Sequence, residues 1–416
     1  MVPRLDARSV YLGWCAIQGL GFTLIVTVNL IYQVTAVDLS AFQLVLVGTV
    51  LETVCMFGEV PTGVVADVFS RRLSIIIGIA LTGIGFTIEG LVPTLGGVLT
   101  GSVLFGLGAV FCSGAIEAWL NDELGEGAAA SALLRGSQAW NLARVVGIPL
   151  AVVLAQISIS FPIVAGGLVQ VVVAGVLILV MPERNFHRTP AAERETWNEM
   201  RETLRAGAGF VRHRPRLRRL VVIAAVFGAY SEGFDRLSTA HYLRDVGVPG
   251  GQRPVVWLGG LLAIEAILGV VVAGRLARRL EQRPGGAAGP LAVAYGVLAA
   301  ATAVFALTRR FGVAAGAGIT GGVARGVEEP LFQACLNTGL ESRSRATVIS
   351  FASQSNAFGQ IAGGLVIAAV ASTAGIAAAI ALAAALLAPV PLLLRGVLRE
   401  RPSAEVVVAA DVAAGG

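Results

Sequence analysis

The chain is poor in charge and in the residues that usually build catalytic or metal centres. Asp, Glu, Lys and Arg make up 14% of its 416 residues, and none of them is lysine. A soluble domain carries roughly 25% charged residues, so this chain cannot clothe a water-facing surface. Without lysine there is no Gly-Lys-Ser/Thr phosphate loop, which excludes an ATP-driven pump within the chain. The only histidines, His187, His213 and His241, are scattered near loops, so no imidazole-based or metal site is expected. Cys15, Cys55, Cys112 and Cys335 all fall in apolar runs. They read as small packing residues, with no disulfide framework. No nucleophile–base pair and no soluble catalytic domain stand out, so the chain does not read as an enzyme and no cofactor is expected.

What is abundant is apolar. Hydrophobic residues reach 56% and glycine numbers 52, and the mean hydropathy is +0.79. This predicts an all-α integral membrane protein of many spans, with the lipid bilayer as its surroundings. Twelve apolar segments follow one another near 9–32, 40–66, 73–93, 97–120, 131–155, 160–181, 218–242, 255–274, 288–308, 312–336, 346–371 and 374–395. The first is too long for the apolar core of a signal peptide and reads as a retained helix. Only the loop between spans six and seven is long.

The arginines sort by side. With the N-terminus inside, 24 lie in inner segments, four in outer loops and three within spans. The positive-inside rule then puts both termini in the cytoplasm, in a bacterial inner membrane. The net charge of +5 reflects this sorting, and nucleic acid is not an expected partner. The stretch Ala191–Arg205 has charges at helical spacing with Trp197, Met200 and Leu204 as apolar anchors. It is expected to form an amphipathic helix on the membrane surface.

The two halves repeat. Leu120-Asn121 matches Leu336-Asn337 and Ser137-Gln138 matches Ser353-Gln354 at one offset; Val64-Val65-Ala66 matches Val271-Val272-Ala273 and Arg71-Arg72 matches Arg278-Arg279 at another. The expected organisation is therefore a six-helix bundle over 1–181, a basic linker over 182–217, a second six-helix bundle over 218–398 and a tail over 399–416. Paired bundles of this kind are transporter architecture.

The segment Gly63-Val-Val-Ala-Asp67-Val-Phe-Ser-Arg71-Arg72 resembles the loop motif between helices two and three of the major facilitator superfamily. Ser70 stands where the motif has its second glycine. Glu59-Val-Pro61-Thr-Gly63 and Glu117-Ala-Trp119-Leu-Asn-Asp122-Glu123 resemble its drug:proton antiporter branches, which include macrolide and tetracycline exporters. Span four lacks the outer arginine many antiporters carry, and span five has only Gly147-Ile-Pro149 of the antiporter motif. The resemblance implies two pseudo-symmetric bundles that alternate access to a small-molecule substrate, in a monomer. Asp67 would cap the start of span eleven, and Arg71 or Arg72 would pair with Glu117, Asp122 or Glu123 as a gate.

Charges at bilayer depth cost at least roughly 2.5–3.5 kcal/mol each unless paired or hydrated, so they head the list of functional residues. Glu52, Glu265, Asp235 and Glu59 are the proton-coupling candidates. Arg325, Glu232, Arg236, Arg144, Gln18 and Gln354 are the substrate-cavity candidates. Arg236 with Glu232 and Arg325 with Glu329 stand at i, i+4 and could simply neutralise each other. The resemblance would set Arg144 opposite Glu265, and Glu52 near Gln354, Asn356 and Gln360. Two functions fit: proton-coupled efflux of amphipathic compounds, or coupled uptake of an organic solute, for whose carboxylate Arg144 and Arg325 would suit.

Overall fold

A computed structural model of the chain describes residues 6–188, 201, 205, 209, 211–212, 214–281, 286–338 and 342–399. Among them there is no β-strand. The amphipathic helix expected over Ala191–Arg205 and the tail beyond Arg399 lie outside the described residues, apart from Arg201 and Arg205.

Among the described residues, fourteen helices account for twelve spans. They are α1 (Ala7–Thr35), α2 (Ala41–Val68), α3 (Arg71–Leu91), α4 (Leu95–Cys112), α5 (Ala115–Leu124), α6 (Glu126–Leu154), α7 (Phe161–Val180), α8 (Pro215–Ala240), α9 (Pro254–Glu281), α10 (Ala288–Leu307), α11 (Phe311–Asn337), α12 (Ser342–Ala374), α13 (Ile376–Leu387) and α14 (Val390–Arg399). α4 and α5 form span four, broken where Gly114 takes φ +70°, a backbone state glycine adopts without steric cost. α13 and α14 form span twelve. A π-helical turn, His241–Val246, continues α8.

Local chemistry sets the boundaries. Asp6 caps α1 through Ser9 N at 3.3 Å. Ser40 and Gln43 make a reciprocal capping box at α2, at 3.3 and 2.8 Å, which satisfies two otherwise orphaned N–H groups. Pro61 stays inside α2, as membrane helices tolerate when neighbouring groups re-satisfy the backbone. Among the described residues, ten spans are long and apolar enough to cross a membrane. The other two, α8 and α11, carry Glu232, Asp235, Arg236 and Arg325, Glu328, Glu329.

The chain divides into two compact units. One comprises α1–α7 with Arg236–Arg244 and Val248–Ala263; the other comprises α8 as far as Asp235, Asp245–Gly247 and the helices from Ile264 onward. In the first, α3 packs on α4 and α7, α1 on α6 and α7, and α2 on α4. A Cβ at Gly108 would lie 2.5 Å from the Gly78 carbonyl oxygen, so α3 and α4 meet backbone to backbone, as small residues allow in membrane bundles. Trp119, Ile75, Ile79 and Leu120 form the inner core. In the second unit, α10 packs on α11, α13 and α14, and α12 on α13. Phe227, Tyr230, Phe234, Tyr295 and Phe305 make a chain of aromatic contacts through it.

Candidate functional site

The second unit concentrates its polar chemistry in one place. A cavity of ≈ 270 Å³ opens among α8, α10, α11 and α12, and its ionisable lining is Asp235, Arg325, Glu328 and Glu329. α8 supplies Asp235 and α11 supplies the other three. Arg325 meets Asp235 with both terminal nitrogens: Nη1 donates to Oδ1, and Nη2 donates to Oδ2 at 2.7 Å. The guanidinium carbon also lies 5.8 Å from the centre of the Phe227 ring, within cation–π range. This fork geometry is how arginine recognises a carboxylate most strongly.

One turn along α11, Glu328 is 3% exposed and its Oε1 accepts the Tyr295 hydroxyl proton. Its neighbour Glu329 is exposed and accepts from Gln333 Nε2 at 2.9 Å. On α12, Gln360 donates to the Asn356 side chain at 2.9 Å, and Asn356 donates to the Ala224 carbonyl at 3.1 Å. Glu265 of α9 is seated against α11 as well, since a Cβ on Gly322 would lie 2.1 Å from its carboxyl carbon. Gly322 is one turn from Arg325. Glu232, 3% exposed, is one turn from Asp235.

One expectation is corrected. Arg325 does not pair with Glu329 at i, i+4: its fork is taken by Asp235 from a neighbouring helix, and Glu329 turns to Gln333 instead. A bidentate bond needs both carboxylate oxygens in the guanidinium plane, and Asp235 presents both. The site therefore sets three carboxyl groups against one guanidinium.

A larger cavity of ≈ 890 Å³ lies among α9, α10 and α11, lined by Leu268, Val272, Val293, Val297 and other apolar side chains, with Arg275 and Arg279. Among the described residues its lining holds no carboxylate and no convergent set of polar groups, which a specific solute site requires. The smaller cavity is the better site on chemistry.

In the first unit, the expected residues are more dispersed. Glu52 is half-buried and Glu59 exposed on α2, and Arg144 is exposed on α6. Gln18 of α1 is half-buried; its side-chain oxygen accepts from Trp14 and its carbonyl from Gln170 at 3.4 Å. Arg236 is half-buried, as is Gln354 of the second unit. The gate motif is tightly knit. Gly63 and Asp67 are half-buried near the end of α2, and Glu117 is exposed in the first turn of α5. Arg71 donates to Asp122 and to the Ala118 carbonyl, the latter at 2.9 Å.

Two residues that sequence reasoning passed over matter here. Glu183, just after α7, accepts from Ser70 Oγ at 2.7 Å and from Arg72 N at 3.0 Å, and so caps α3 beside the motif. Glu123 likewise accepts from Arg184 N and Asn185 N at 2.6 and 2.9 Å, while Trp119 donates to the Pro182 carbonyl at 2.8 Å. The second is Glu89 of α3, 1% exposed, whose Oε1 accepts from Asn29 and Gln33 of α1 at 2.9 and 2.8 Å. A lone acid in an apolar span was the signal available for it.

Comparison with known proteins adds the family. The model of the Major Facilitator Superfamily matches residues 13–364. Among solved structures, a variant of the nucleoside transporter NupG has a TM-score of 0.78 at 12% identity, covering 95% of this chain and 100% of its own. A bacterial homologue of the human lysosomal transporter Spinster gives 0.68 at 15%, with coverage of 94% and 96%. The human organic anion transporter MFSD10 gives 0.60 at 16%, with 93% and 98%. At such identities the likeness is one of fold. No curated protein sequence matches the chain.

Proposed function

Because the chain belongs to the Major Facilitator Superfamily, whose members are transporters rather than enzymes, we propose that this multi-pass membrane protein is a proton-coupled exporter of amphipathic cations. It works by alternating access, as a monomer in a bacterial cytoplasmic membrane with both termini inside. Its motifs resemble those of the drug:proton antiporter branches.

The observation that carries the reading is the occupied fork of Arg325. With Asp235 across both of its terminal nitrogens, the charge of this arginine is already matched by a carboxylate of the protein. The cavity is left with Glu328 and Glu329 and with the ring faces of Phe227 and Phe332. A positively charged, partly apolar solute satisfies both kinds of group, through charge and through the aromatic faces. Protons and cations then compete for the same carboxylates, which is the simplest route to exchange. Glu328 and Glu329 thus join Asp235, Glu265, Glu52 and Glu59 as proposed coupling carboxylates; Glu232, Arg236, Arg144, Gln18 and Gln354 remain proposed substrate-contact residues and are not among those that line this cavity. Arg71, Arg72, Asp67, Gly63, Glu117 and Asp122 form the gate. The competing function, uptake of an organic anion, would rely on the guanidiniums and is disfavoured by the state of Arg325.

The test uses everted membrane vesicles, an imposed pH gradient and two probes, ethidium and an aromatic carboxylate. Ethidium should accumulate when the lumen is acid. For electroneutral one-for-one exchange, a gradient of about one pH unit supports about a tenfold ratio. Glu329→Gln should reduce that accumulation. Transport of the carboxylate alone overturns the cation reading, and accumulation indifferent to the gradient overturns the coupling.

A further inference from the structure

The first unit contains a buried acid that the transport reading above leaves unused. Glu89 stands two residues before the end of α3, and Gln33 two residues before the end of α1. Gln33 is 2% exposed and Glu89 1%. The Glu89 Oε1 accepts from Asn29 Nδ2 at 2.9 Å and from Gln33 Nε2 at 2.8 Å, and Gln33 Nε2 also donates to Asn29 Oδ1 at 2.8 Å. Tyr32 donates its hydroxyl to the Glu89 carbonyl at 2.7 Å. The shell is closed on its other sides by small and apolar groups. A Cβ on Gly101 of α4 would lie 3.2 Å from Glu89 Oε2, and one on Gly90 would meet Val164 and Ile163 of α7. The charged and titratable groups acting on this carboxyl are Tyr32 and Arg236; Arg236 belongs to the same unit.

A second observation concerns Gln33. Its Oε1 is buried and, among the described residues, no donor reaches it. A buried acceptor without a donor is costly, because it has given up its bond to water and gained none in return. With Glu89 ionised, both amides spend their N–H groups on acceptors and this oxygen goes without. A proton on the carboxyl adds a donor, and half-turns of the Gln33 and Asn29 amides together receive it, Asn29 Nδ2 then donating to Gln33 Oε1 in place of the present Gln33-to-Asn29 bond. The same shell thus serves either protonation state: amide donors for the carboxylate, an amide acceptor for the acid.

We propose that Glu89, with Asn29 and Gln33 as its switching partners, is a proton-binding site of the first unit, separate from the cavity of the second. The site takes a proton alone and no solute, because glycine and apolar side chains close it. The cluster extends no more than six residues from the helix ends, about 9 Å at 1.5 Å per residue, so a proton has a short path to the membrane edge. Its use in the transport cycle rests on the proton-coupled reading; proton binding itself does not.

The purified full-length protein in lipid nanodiscs, with no transport substrate, tests it. Infrared difference spectra recorded between about pH 9 and about pH 5 should show a protonated-carboxyl band that appears on acidification; exposed glutamates, which protonate near about 4.3, contribute little in this window. Glu89→Gln should lose that band and bind one proton fewer in a parallel electrode titration. Gln33→Leu, which leaves the carboxyl in place, should keep the band and move its midpoint. A wild-type spectrum with no such band, or a band that survives Glu89→Gln, overturns the site. An unchanged midpoint in Gln33→Leu overturns the switching role of the amide. If Glu89→Gln does not yield folded protein, the wild type and Gln33→Leu still decide. A positive titration alongside gradient-independent transport would leave the site standing and remove only the coupling.

Discussion

Arg325 of α11 and Asp235 of α8 hold each other through two parallel hydrogen bonds, and this pair joins two helices that bring charge into the apolar interior of the second unit. Their side chains are 31% and 46% exposed, so the pair is neither a surface bridge nor a sealed one. Breaking an exposed pair costs about 0–1 kcal/mol and breaking a buried one about 3–5 kcal/mol. Asp235→Asn and Arg325→Gln should each destabilise the purified protein by an intermediate amount, about 1–2 kcal/mol. The double variant should be no worse than the poorer single. A thermal-melt double-mutant cycle measures this, and simple additivity of the two losses would show that the pair is not coupled.

Tyr295 is the hydroxyl partner of Glu328. Tyr295→Phe keeps the ring contact with Phe227 but removes the donor from a buried carboxyl, for which the cost is about 1–3 kcal/mol. Glu328→Gln in the Tyr295→Phe background should recover part of the loss, because a neutral amide suffers less from burial than a carboxylate. Melting temperatures of the three variants decide. A Tyr295→Phe protein as stable as wild type would show that Glu328 does not depend on this hydroxyl.

The spans were legible because the bilayer imposes one strong rule: a run of apolar residues long enough to cross it. All twelve segments appear as helices, counting the broken fourth and twelfth as one span each. The charges at depth were legible for the converse reason, since Asp235, Arg325 and Glu265 interrupt such runs. Their partners were not. Spacing along one helix suggested Glu329 for Arg325, whereas the fork is closed by a residue ninety positions away. Contacts between helices depend on how neighbours rotate about their axes, and hydropathy carries no such phase. Glu89 was overlooked because it lies at the end of an otherwise apolar run, and Glu183 because it stands where a charged linker begins. Neither position looks unusual until Asn29 and Gln33, or Ser70 and Arg72, are seen beside it.

Glu183 links the end of span six to the start of α3. It receives Ser70 Oγ and Arg72 N, and Ser70 itself caps Leu73 N at 2.9 Å. Glu183→Ala should cost about 0.5–2 kcal/mol, the usual range for losing a cap, and should loosen the neighbouring Arg71–Asp122 contact. Hydrogen exchange at the first turn of α3, and at Arg184 and Asn185 as an internal reference, measures it. Faster exchange at Arg72 with Arg184 unchanged is the expected pattern, because Glu123 holds Arg184 independently. Unchanged exchange at Arg72 would remove Glu183 from the account of the motif.

α8 and α12 approach each other closely beside the cavity, which Ala224 and Asn356 line. A Cβ on Gly228 of α8 would lie 2.1 Å from the Asn356 carbonyl oxygen of α12, and one on Gly359 of α12 would lie 2.0 Å from the Ala225 carbonyl oxygen of α8. Backbone atoms cannot yield as a flexible side chain can, so Gly228→Ala or Gly359→Ala must push the two helices apart. Overpacking of this kind costs about 1–3 kcal/mol. The same displacement stretches the 3.1 Å bond from Asn356 to Ala224 and shifts α8, which carries Asp235, relative to α12. Transport of ethidium should therefore fall along with the melting temperature. Gly326→Ala is the matched control. It adds a methyl group on α11 next to Arg325, where no atom lies within 4 Å of the new Cβ, and alanine is the better helix former by about 1 kcal/mol. That variant should melt at or slightly above the wild-type temperature. If Gly359→Ala behaves like Gly326→Ala, the approach of α8 to α12 is not a constraint on the site.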